Sequence, residues 1–274
     1  MKVIELTDLN RPELDVFVRL TEPQLRNRLE PTMGIFIAES LKVVRIALQH
    51  GLQPVAFLSE AKYLDSQLSS LIEGHDDLPV YTAPRALLAQ LTGYELTRGF
   101  LCAMRRPSLP SVAQVCREAR RIAVVDGVAN ASNTGAIFRA AAALGIDGLL
   151  LTASCCDPLN RRSVRVSMGT LFQLPWTNVG NDGLPLSFSE VHGTLHRLGF
   201  TTVALALTEK ALSIDNPALA RCDRLAILLG SEGDGLPADT IAACDFVAKI
   251  PMLHDVDSLN VAAAAAVAFW QLAR

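Results

Sequence analysis

The segment IAVVDGVANASNTGAIFRAAAALG, residues 122–145, contains the structural unit from which we expect the fold to be built. A continuous apolar strand leads through a polar turn into an alanine-rich helix, predicted over Thr134–Leu144. Strands that are apolar throughout are typical of parallel sheets covered by helices on both faces. Asn133 is predicted to cap the helix. Arg139 is a charge among apolar residues, costly to bury unless it meets an anion.

The same alternation of strands and helices continues to the C-terminus. Strands are predicted at Ile122–Asp126, Gly148–Thr152, Thr201–Leu207, Leu225–Leu229 and Asp245–Ile250. Further helices are predicted at Ser189–Leu198, Ala238–Ala243 and Leu259–Leu272. The pattern predicts an α/β fold with a parallel sheet, in which ligands bind beyond the carboxyl ends of the strands.

A smaller α/β unit is predicted at the N-terminal end. Its expected helices are Glu22–Leu29, Ser40–His50, Ala61–Ile72 and Pro84–Leu91, and its expected strands are Gly34–Ala38, Pro54–Leu58, Leu78–Tyr81 and Gly99–Met104. The prolines of RRPSLP, residues 105–110, favour an extended linker. We therefore predict one domain over residues 1–106, a linker over 107–120 and a second domain over 121–274.

The composition narrows the class of protein. Of 274 residues, 50% are apolar and 19% charged, which excludes a disordered chain. A net charge of −3 excludes a polybasic protein, although a local basic face is enough to bind nucleic acid. The longest apolar run is too short to span a membrane, and the six cysteines form no C-x-x-C pair, so we expect reduced thiols in a cytoplasmic protein.

No metal site is predicted: His192 and His196 stand four apart, but without the glutamate of a zincin helix they are interpreted as exposed polar residues.

The second notable loop is LLGSEGDGLP, residues 228–237, between a predicted strand and a predicted helix. Its three glycines allow close backbone approach to a ligand, but their order is neither G-x-G-x-x-G nor a P-loop. Glu232 would repel a phosphate and suits a cationic or hydroxyl-bearing ligand better. A tight turn without a ligand is the alternative.

The third is IPMLHDVDSLNVAAAAAVAFW, residues 250–270, in which a polar loop opens a helix almost without charge. A helix that is apolar all round is buried. Either a dimer interface or a central position in the core would bury it, and the composition leaves both open.

Together these loops resemble three ordered motifs of the SpoU family of RNA 2′-O-ribose methyltransferases, also called TrmH-like, in the SPOUT superfamily. The motifs are N-x-G-x-x-x-R, then G-x-E-x-x-G-L, then I-P-M followed by S-L-N-V. The matching residues are Asn133, Gly135 and Arg139; Gly230, Glu232, Gly235 and Leu236; and Ile250, Pro251, Met252, Ser258, Leu259, Asn260 and Val261. One departure is His254, which stands where many members carry glycine.

The resemblance implies a trefoil-knotted parallel-sheet methyltransferase domain, preceded by an L30e-like domain that binds the RNA substrate. It implies an enzyme that uses S-adenosylmethionine to methylate a ribose 2′-hydroxyl in rRNA or tRNA, as a homodimer formed through the C-terminal domain. The positions that correspond to cofactor contacts are Leu207, Gly230, Ile250, Ser258 and Leu259. The implied catalytic positions are Asn133, Arg139, Glu232 and Asn260. Arg139 is implied to act on the 2′-hydroxyl, either within its own chain or across the dimer.

Basic residues outside these motifs are candidates for contact with RNA phosphates. They are Arg105, Arg106, Arg161, Arg162 and Arg165. A solvated charged face is the alternative for the linker arginines. Two other functions remain open on the sequence: a non-catalytic RNA-binding or ribosome-assembly protein on the same scaffold, and a nucleotide-dependent α/β enzyme that uses the Gly230 loop.

Overall fold

The computed structural model describes residues 2–18, 30–64, 71, 74–75, 77–96, 99–179, 188–254 and 256–273. Its strands are β1 Lys2–Glu5, β2 Ile35–Glu39, β3 Pro54–Ser59, β4 Pro79–Thr82, β5 Phe100–Arg105, β6 Arg121–Val125, β7 Gly148–Leu151, β8 Trp176–Asn178, β9 Thr201–Leu205, β10 Leu212–Ser213, β11 Leu225–Leu229 and β12 Phe246–Lys249. Its α-helices are α1 Leu41–Gln49, α2 Arg85–Thr92, α3 Val112–Cys116, α4 Ala131–Leu144, α5 Arg161–Ser167, α6 Phe188–Arg197, α7 Pro217–Ala220, α8 Ala238–Ala243 and α9 Val261–Leu272.

The chain divides into two compact units. The first comprises Met1–Pro107 with Leu159–Phe172, and the second comprises Ser108–Pro158 with Gln173–Arg274. The first unit contains a five-stranded sheet in the order β1-β4-β3-β5-β2. Strand β5 runs antiparallel to both of its neighbours, whereas β1, β4 and β3 are parallel to one another.

The second unit is built on a seven-stranded sheet in the order β10-β12-β9-β11-β6-β7-β8. All its neighbouring strands are parallel, as the continuous apolar strands predict. Every residue of β6, β7 and β11 is buried, because helices cover both faces of the centre of the sheet. The short strands β8 and β10 were not predicted, since three and two residues carry too little pattern to recognise.

The region predicted as an extended linker is partly helical. Helix α3 begins after a capping box in which Ser111 and Gln114 each satisfy a backbone amide of the other. Val112, Val115 and Cys116 are buried in the core of the second unit. The prolines that suggested a linker precede this cap, so the extended part ends at the start of the helix. In addition, residues 159–172 pack with the first unit rather than with the sequence that surrounds them.

Two other predicted helices differ from the structure or lie outside it. Of the helix expected over Ala61–Ile72, only residues 61–64 and 71 are described; Ala61–Tyr63 form a 3-10 turn and Leu71 is helical, so most of this prediction lies outside the described residues. The predicted helix Glu22–Leu29 lies outside the described residues. No helix within the described ranges is both long enough and apolar enough to cross a lipid bilayer.

The C-terminal helix α9 packs against α4, but one of its faces is exposed in the single chain. It is therefore not a central core helix, and its burial in a dimer interface stays a prediction. Its inner face includes Ala265 and Phe269, whereas Val267 and Trp270 on another face are 39% and 51% exposed. Its C-terminal end is held by Arg121, whose Nε donates a hydrogen bond to the carbonyl oxygen of Leu272 at 2.8 Å.

Candidate active site

The candidate site lies where four neighbouring strands end. Strands β12, β9, β11 and β6 are consecutive in the second unit's sheet and run parallel. Their carboxyl ends therefore lie at one edge, and the segments that leave them are the ones carrying the sequence motifs. This topology brings together the three loops and the turn at Leu207, although the first loop is about a hundred residues of sequence from the other two.

A cavity of about 370 Å³ opens at this edge. All five predicted cofactor-contacting residues line it: Leu207, Gly230, Ile250, Ser258 and Leu259. The volume is within the range of small-molecule pockets, about 300–1,000 Å³. Its apolar walls include Met252 of the third motif, together with Leu205 and Leu229, which sequence reasoning did not single out. Leu205 and Leu229 are the last residues of β9 and β11, and nothing in the sequence distinguishes them from ordinary core residues.

Charged side chains also line the cavity. Three are acidic, Glu232, Asp234 and Asp257, and one is basic, Lys249. A cavity with apolar walls and a majority of carboxylates suits a ligand that combines an apolar ring with positive charge. It is a poor site for a polyphosphate, as Glu232 already indicates in the sequence.

The Gly230 loop folds back on itself. Ser231 donates its backbone N–H to the carbonyl oxygen of Gly235 at 3.1 Å, and Gly235 has a φ of +68°. The Cα of Gly230 lies so close to the backbone of Gly235 and Leu236 that a Cβ there would approach the Gly235 oxygen to 2.6 Å. Position 230 therefore requires glycine because the backbone of the loop approaches it closely, and position 235 favours glycine because its φ is positive.

A chain of hydrogen bonds connects the three loops. The amide Nδ2 of Asn133 donates to Glu232 Oε1 at 2.5 Å, and Nδ2 of Asn260 donates to Asn133 Oδ1 at 3.1 Å. The Oδ1 of Asn260 accepts from the backbone N–H of Ala262 at 3.0 Å, which caps α9. Three of the four predicted catalytic residues are thus in direct contact at the cavity rim.

Asn133 itself is not the cap of α4, contrary to the sequence prediction. The cap is Asn130, whose Oδ1 accepts from the backbone N–H groups of Ser132 and Asn133 at 2.8 and 3.3 Å. The helix therefore begins three residues earlier than predicted, and the side chain of Asn133 is left to contact Glu232. Either asparagine suits a cap, so composition alone did not choose between them.

Arg139, the fourth predicted catalytic residue, does not line the cavity of its own chain. Its side chain is exposed on α4, whereas Gly135, one turn earlier, is buried. Among the residues that the structure describes, neither a hydrogen bond nor an ion pair engages its guanidinium. The arginine is therefore available for an anion from outside the chain.

The turn after β6 is supported by a second group of polar side chains, which the sequence reasoning missed. Thr152 Oγ1 donates to Asp126 Oδ1 at 2.8 Å and accepts the backbone N–H of Gly127 at 3.2 Å. Cys155 lies beside Thr152, and burial raises the pKa of its thiol. A thiol that stays protonated is a poor nucleophile, so this cysteine supports the turn rather than reacting.

His254, the departure from the family pattern, has an unusual backbone conformation. This residue has a φ of +59°, in the left-handed region that favours glycine. Glycine, which many family members carry at this position, would adopt this conformation with less strain than a histidine.

The five arginines proposed for RNA contact all lie in the first unit. Arg161 Nη1 is 2.8 Å from Oε2 of the buried Glu39, and its guanidinium stacks over the ring of Tyr94. Arg165 Nη1 is 3.6 Å from the other oxygen of Glu39, and Arg106 Nε donates to the carbonyl oxygen of Ile35. Arg105 and Arg162 are exposed. Their contact with RNA remains a prediction.

Comparison with known proteins agrees with this geometry. The profile of the SpoU rRNA methylase family matches residues 120–270. A protein of Mycobacterium bovis named as an uncharacterised tRNA/rRNA methyltransferase is 36% identical over 280 residues, covering 100% of this chain and 93% of its own. The chain therefore belongs to the SpoU rRNA methylase family, and the resemblance found in the three motifs is confirmed.

Solved structures show the same fold at low sequence identity. An rRNA methyltransferase from Sinorhizobium meliloti, crystallised with S-adenosylmethionine bound, has a TM-score of 0.79 at 22% identity and covers 98% of this chain and 97% of its own. A structure described as an RNA 2′-O ribose methyltransferase has a TM-score of 0.76 at 24% identity, covering 98% of each chain. At these identities the likeness shows the fold, and the α/β prediction is confirmed.

Proposed function

We propose that this protein transfers a methyl group from S-adenosylmethionine to a ribose 2′-hydroxyl of rRNA or tRNA. The observation that carries the proposal is the hydrogen-bonded chain Asn260–Asn133–Glu232 at the rim of a cavity lined by all five expected cofactor-contacting residues. Membership of the SpoU family supports methyl transfer to RNA, and the 2′-O ribose description of a protein with the same fold supports the position.

The cavity fits S-adenosylmethionine in size and in chemistry. Leu207, Ile250 and Leu259 offer an apolar slot for the adenine ring, and the neighbouring backbone groups offer hydrogen bonds to its edge. Glu232, Asp234 and Asp257 provide negative charge toward an ammonium and a sulfonium group. The cofactor, when bound, supplies a methyl group that is already activated by the positive sulfur. No metal ion is needed to activate it.

Arg139 is assigned to the RNA. A guanidinium is always protonated, so it does not accept the proton of the hydroxyl. It holds the phosphate next to the reacting ribose through two parallel hydrogen bonds and stabilises the negative charge that develops on the 2′-oxygen. The proton leaves to a phosphate oxygen or to water, while Asn133, Glu232 and Asn260 fix the loop against which the ribose is oriented.

We place Arg139 opposite the cavity of a second subunit. In its own chain it is exposed and lies outside the cavity lining, so a homodimer formed through the C-terminal domain would supply the missing partner surface. Exposed apolar residues of the same domain offer such an interface, among them Leu253, Val256 and Trp270. A trefoil knot in this domain, and an L30e-like, RNA-selecting role for the first unit, are part of the same proposal.

The proposal is tested with two variants that fail for different reasons, assayed at a cofactor concentration well below the raised Kd of the second. Arg139→Ala retains the cofactor cavity, and Gly230→Ala retains the arginine. If the arginine acts across the dimer, a refolded equal mixture recovers about a quarter of wild-type activity, because half of the dimers are mixed and each carries one complete site. Arg139→Lys is the matched control and should stay far below wild type, since an ammonium lacks the planar fork.

The product must also be identified. Nucleosides from methylated total RNA are separated by mass spectrometry, and the added mass should be on the ribose. Methylation of a base instead would overturn the proposed position, and no recovery in the mixture would place Arg139 within its own chain.

A further inference from the structure

A second group of polar side chains lies away from the cofactor cavity. His192 and His196 are four residues apart on α6, with ring centroids 4.2 Å apart. Asp245 directly precedes β12. One nitrogen of each histidine and one carboxylate oxygen all lie within 4.8 Å of one another. The sequence showed only the two histidines, because the aspartate is 49 residues from His196.

We propose that His192, His196 and Asp245 form a binding site for a divalent transition metal ion, best matched by Zn²⁺. Two imidazole nitrogens and a carboxylate oxygen are an established zinc ligand set, and histidines at i and i+4 share one face of a helix. Water completes the tetrahedron. Ligand atoms around zinc are about 3.3 Å apart in a tetrahedron with bonds of about 2 Å, so only small side-chain movements are needed.

The third ligand is already fixed in position. Asp245 Oδ2 accepts hydrogen bonds from the backbone N–H and from the Oγ1 of Thr202 at 2.8 and 2.9 Å. Such outer contacts orient metal ligands and strengthen binding. The same oxygen is 3.0 Å from Nε2 of His196, where a proton is held between the two groups. To coordinate a metal ion through Nε2, the neutral ring of His196 would carry its proton on Nδ1 instead.

The surroundings of the three side chains shift the pKa values of two of them. Burial, together with the neighbouring His196, lowers the pKa of His192. Burial raises the pKa of Asp245, but the hydrogen bonds from Thr202 and His196 outweigh it, and the net pKa is lowered. The carboxylate is therefore ionised. Arg197, the nearest cation along the helix, has its Nη2 donating to Thr194.

The site is separate from the methyl-transfer chemistry. Asp245 lies before the first residue of β12 and Ile250 follows the last, so the two are about 16 Å apart along an extended strand. The glutamate that would serve as a general base in a zincin is missing. A metal bound here links α6 to the start of β12 and stabilises the second unit without entering the reaction.

The first test uses the full-length protein after treatment with a chelator. Zn²⁺ is titrated by calorimetry against a competing chelator, and Co²⁺ is titrated by absorbance. One ion per chain is expected, with a cobalt spectrum of imidazole and carboxylate ligands. Failure to bind one equivalent would overturn the proposal, as would the strong near-ultraviolet band that cysteine thiolates give.

The second test assigns the ligands. His192→Gln and His196→Gln should each weaken binding by on the order of tenfold or more, since loss even of an outer-shell partner has that effect. His50→Gln, at an exposed histidine of the first unit, and Cys244→Ser, beside Asp245, should leave the affinity unchanged. A double variant His192→Gln, His196→Gln that binds zinc as tightly as the wild type would refute the assignment. Circular dichroism confirms that each variant is folded.

Discussion

A methyl group added at Gly230 should disable the cofactor cavity, whereas the same addition at Gly233, three residues along the same loop, should not. At Gly230 the new Cβ would lie within 2.6 Å of the Gly235 oxygen, and closer still to the Gly235 carbonyl carbon and the Leu236 nitrogen. These are backbone atoms, which cannot rotate away as a side chain does. At Gly233 no atom lies within 4 Å of the new methyl, and its φ is not in the left-handed region.

The expected loss of cofactor affinity in Gly230→Ala follows from the clash of its Cβ with backbone atoms. Overpacking costs about 1–3 kcal/mol where neighbours must shift. The loop around Gly230 is largely exposed, so it can relieve the clash by opening rather than by unfolding the unit. The cost therefore falls mainly on cofactor affinity, and 1–3 kcal/mol corresponds to a Kd raised by about 5- to 150-fold. Gly233 also lines the cavity, so Gly233→Ala should raise Kd less than Gly230→Ala does, and it should stabilise the protein by at most about 1 kcal/mol, through the unfolded chain.

A variant at Gly235 separates the effect of a steric clash from the effect of a strained backbone conformation. At Gly235 there is open space for a Cβ, but φ is +68°. Alanine there should cost roughly 1–2 kcal/mol, and asparagine, which tolerates the left-handed region, less. Calorimetric titration with S-adenosylmethionine and urea denaturation measure the two effects. Wild-type affinity in Gly230→Ala, or an equal loss in Gly233→Ala, would show that the close approach does not shape the cavity.

Two further predictions concern charges elsewhere in the molecule. Glu39→Gln should lower the free energy of unfolding by about 3 kcal/mol in urea, because Arg161 and Arg165 lose a carboxylate whose side chain is only 1% exposed. The control Glu95→Gln breaks an ion pair with Arg85 in which both side chains are at least half exposed, and should change stability by less than about 1 kcal/mol; equal losses would contradict this account. Asp245→Asn, studied without metal, should destabilise the protein above the ordinary carboxyl pKa of 3.8, because the folded-state pKa of Asp245 is lowered, and the difference from wild type should shrink as pH falls through that lowered pKa. A difference that grows in acid would contradict it.

The sequence predicted the features that depend on a continuous run of apolar residues or on a recognisable motif. The apolar strands β6 and β11 predicted a parallel sheet, and the family resemblance indicated five residues that line one cavity. It did not predict which of two asparagines three residues apart caps α4, because both are good caps and the choice depends on the contact between Asn133 and Glu232. Nor did it place residues 159–172, since the buried Glu39 that binds Arg161 is 122 residues away. Contacts between residues so far apart in the sequence arise from tertiary packing and leave no recognisable pattern in the local sequence.

A carboxylate beside the first turn of α4 and a guanidinium further along the helix suit the two ligands that the proposed reaction needs. Asn133 lies in the first turn and contacts Glu232, whereas Arg139 lies six residues later, about 9 Å along the helix axis. A cationic sulfonium is stabilised near the carboxylate, and an RNA phosphate is repelled from it and drawn to the guanidinium. Neither ligand can take the other's place without meeting like charge. The N-terminal ends of α4 and α9 meet at the carboxylate end of this axis, where the positive end of each helix dipole favours the negative charge of Glu232. In the proposed dimer each chain therefore contributes its carboxylate rim to one site and its guanidinium to the other.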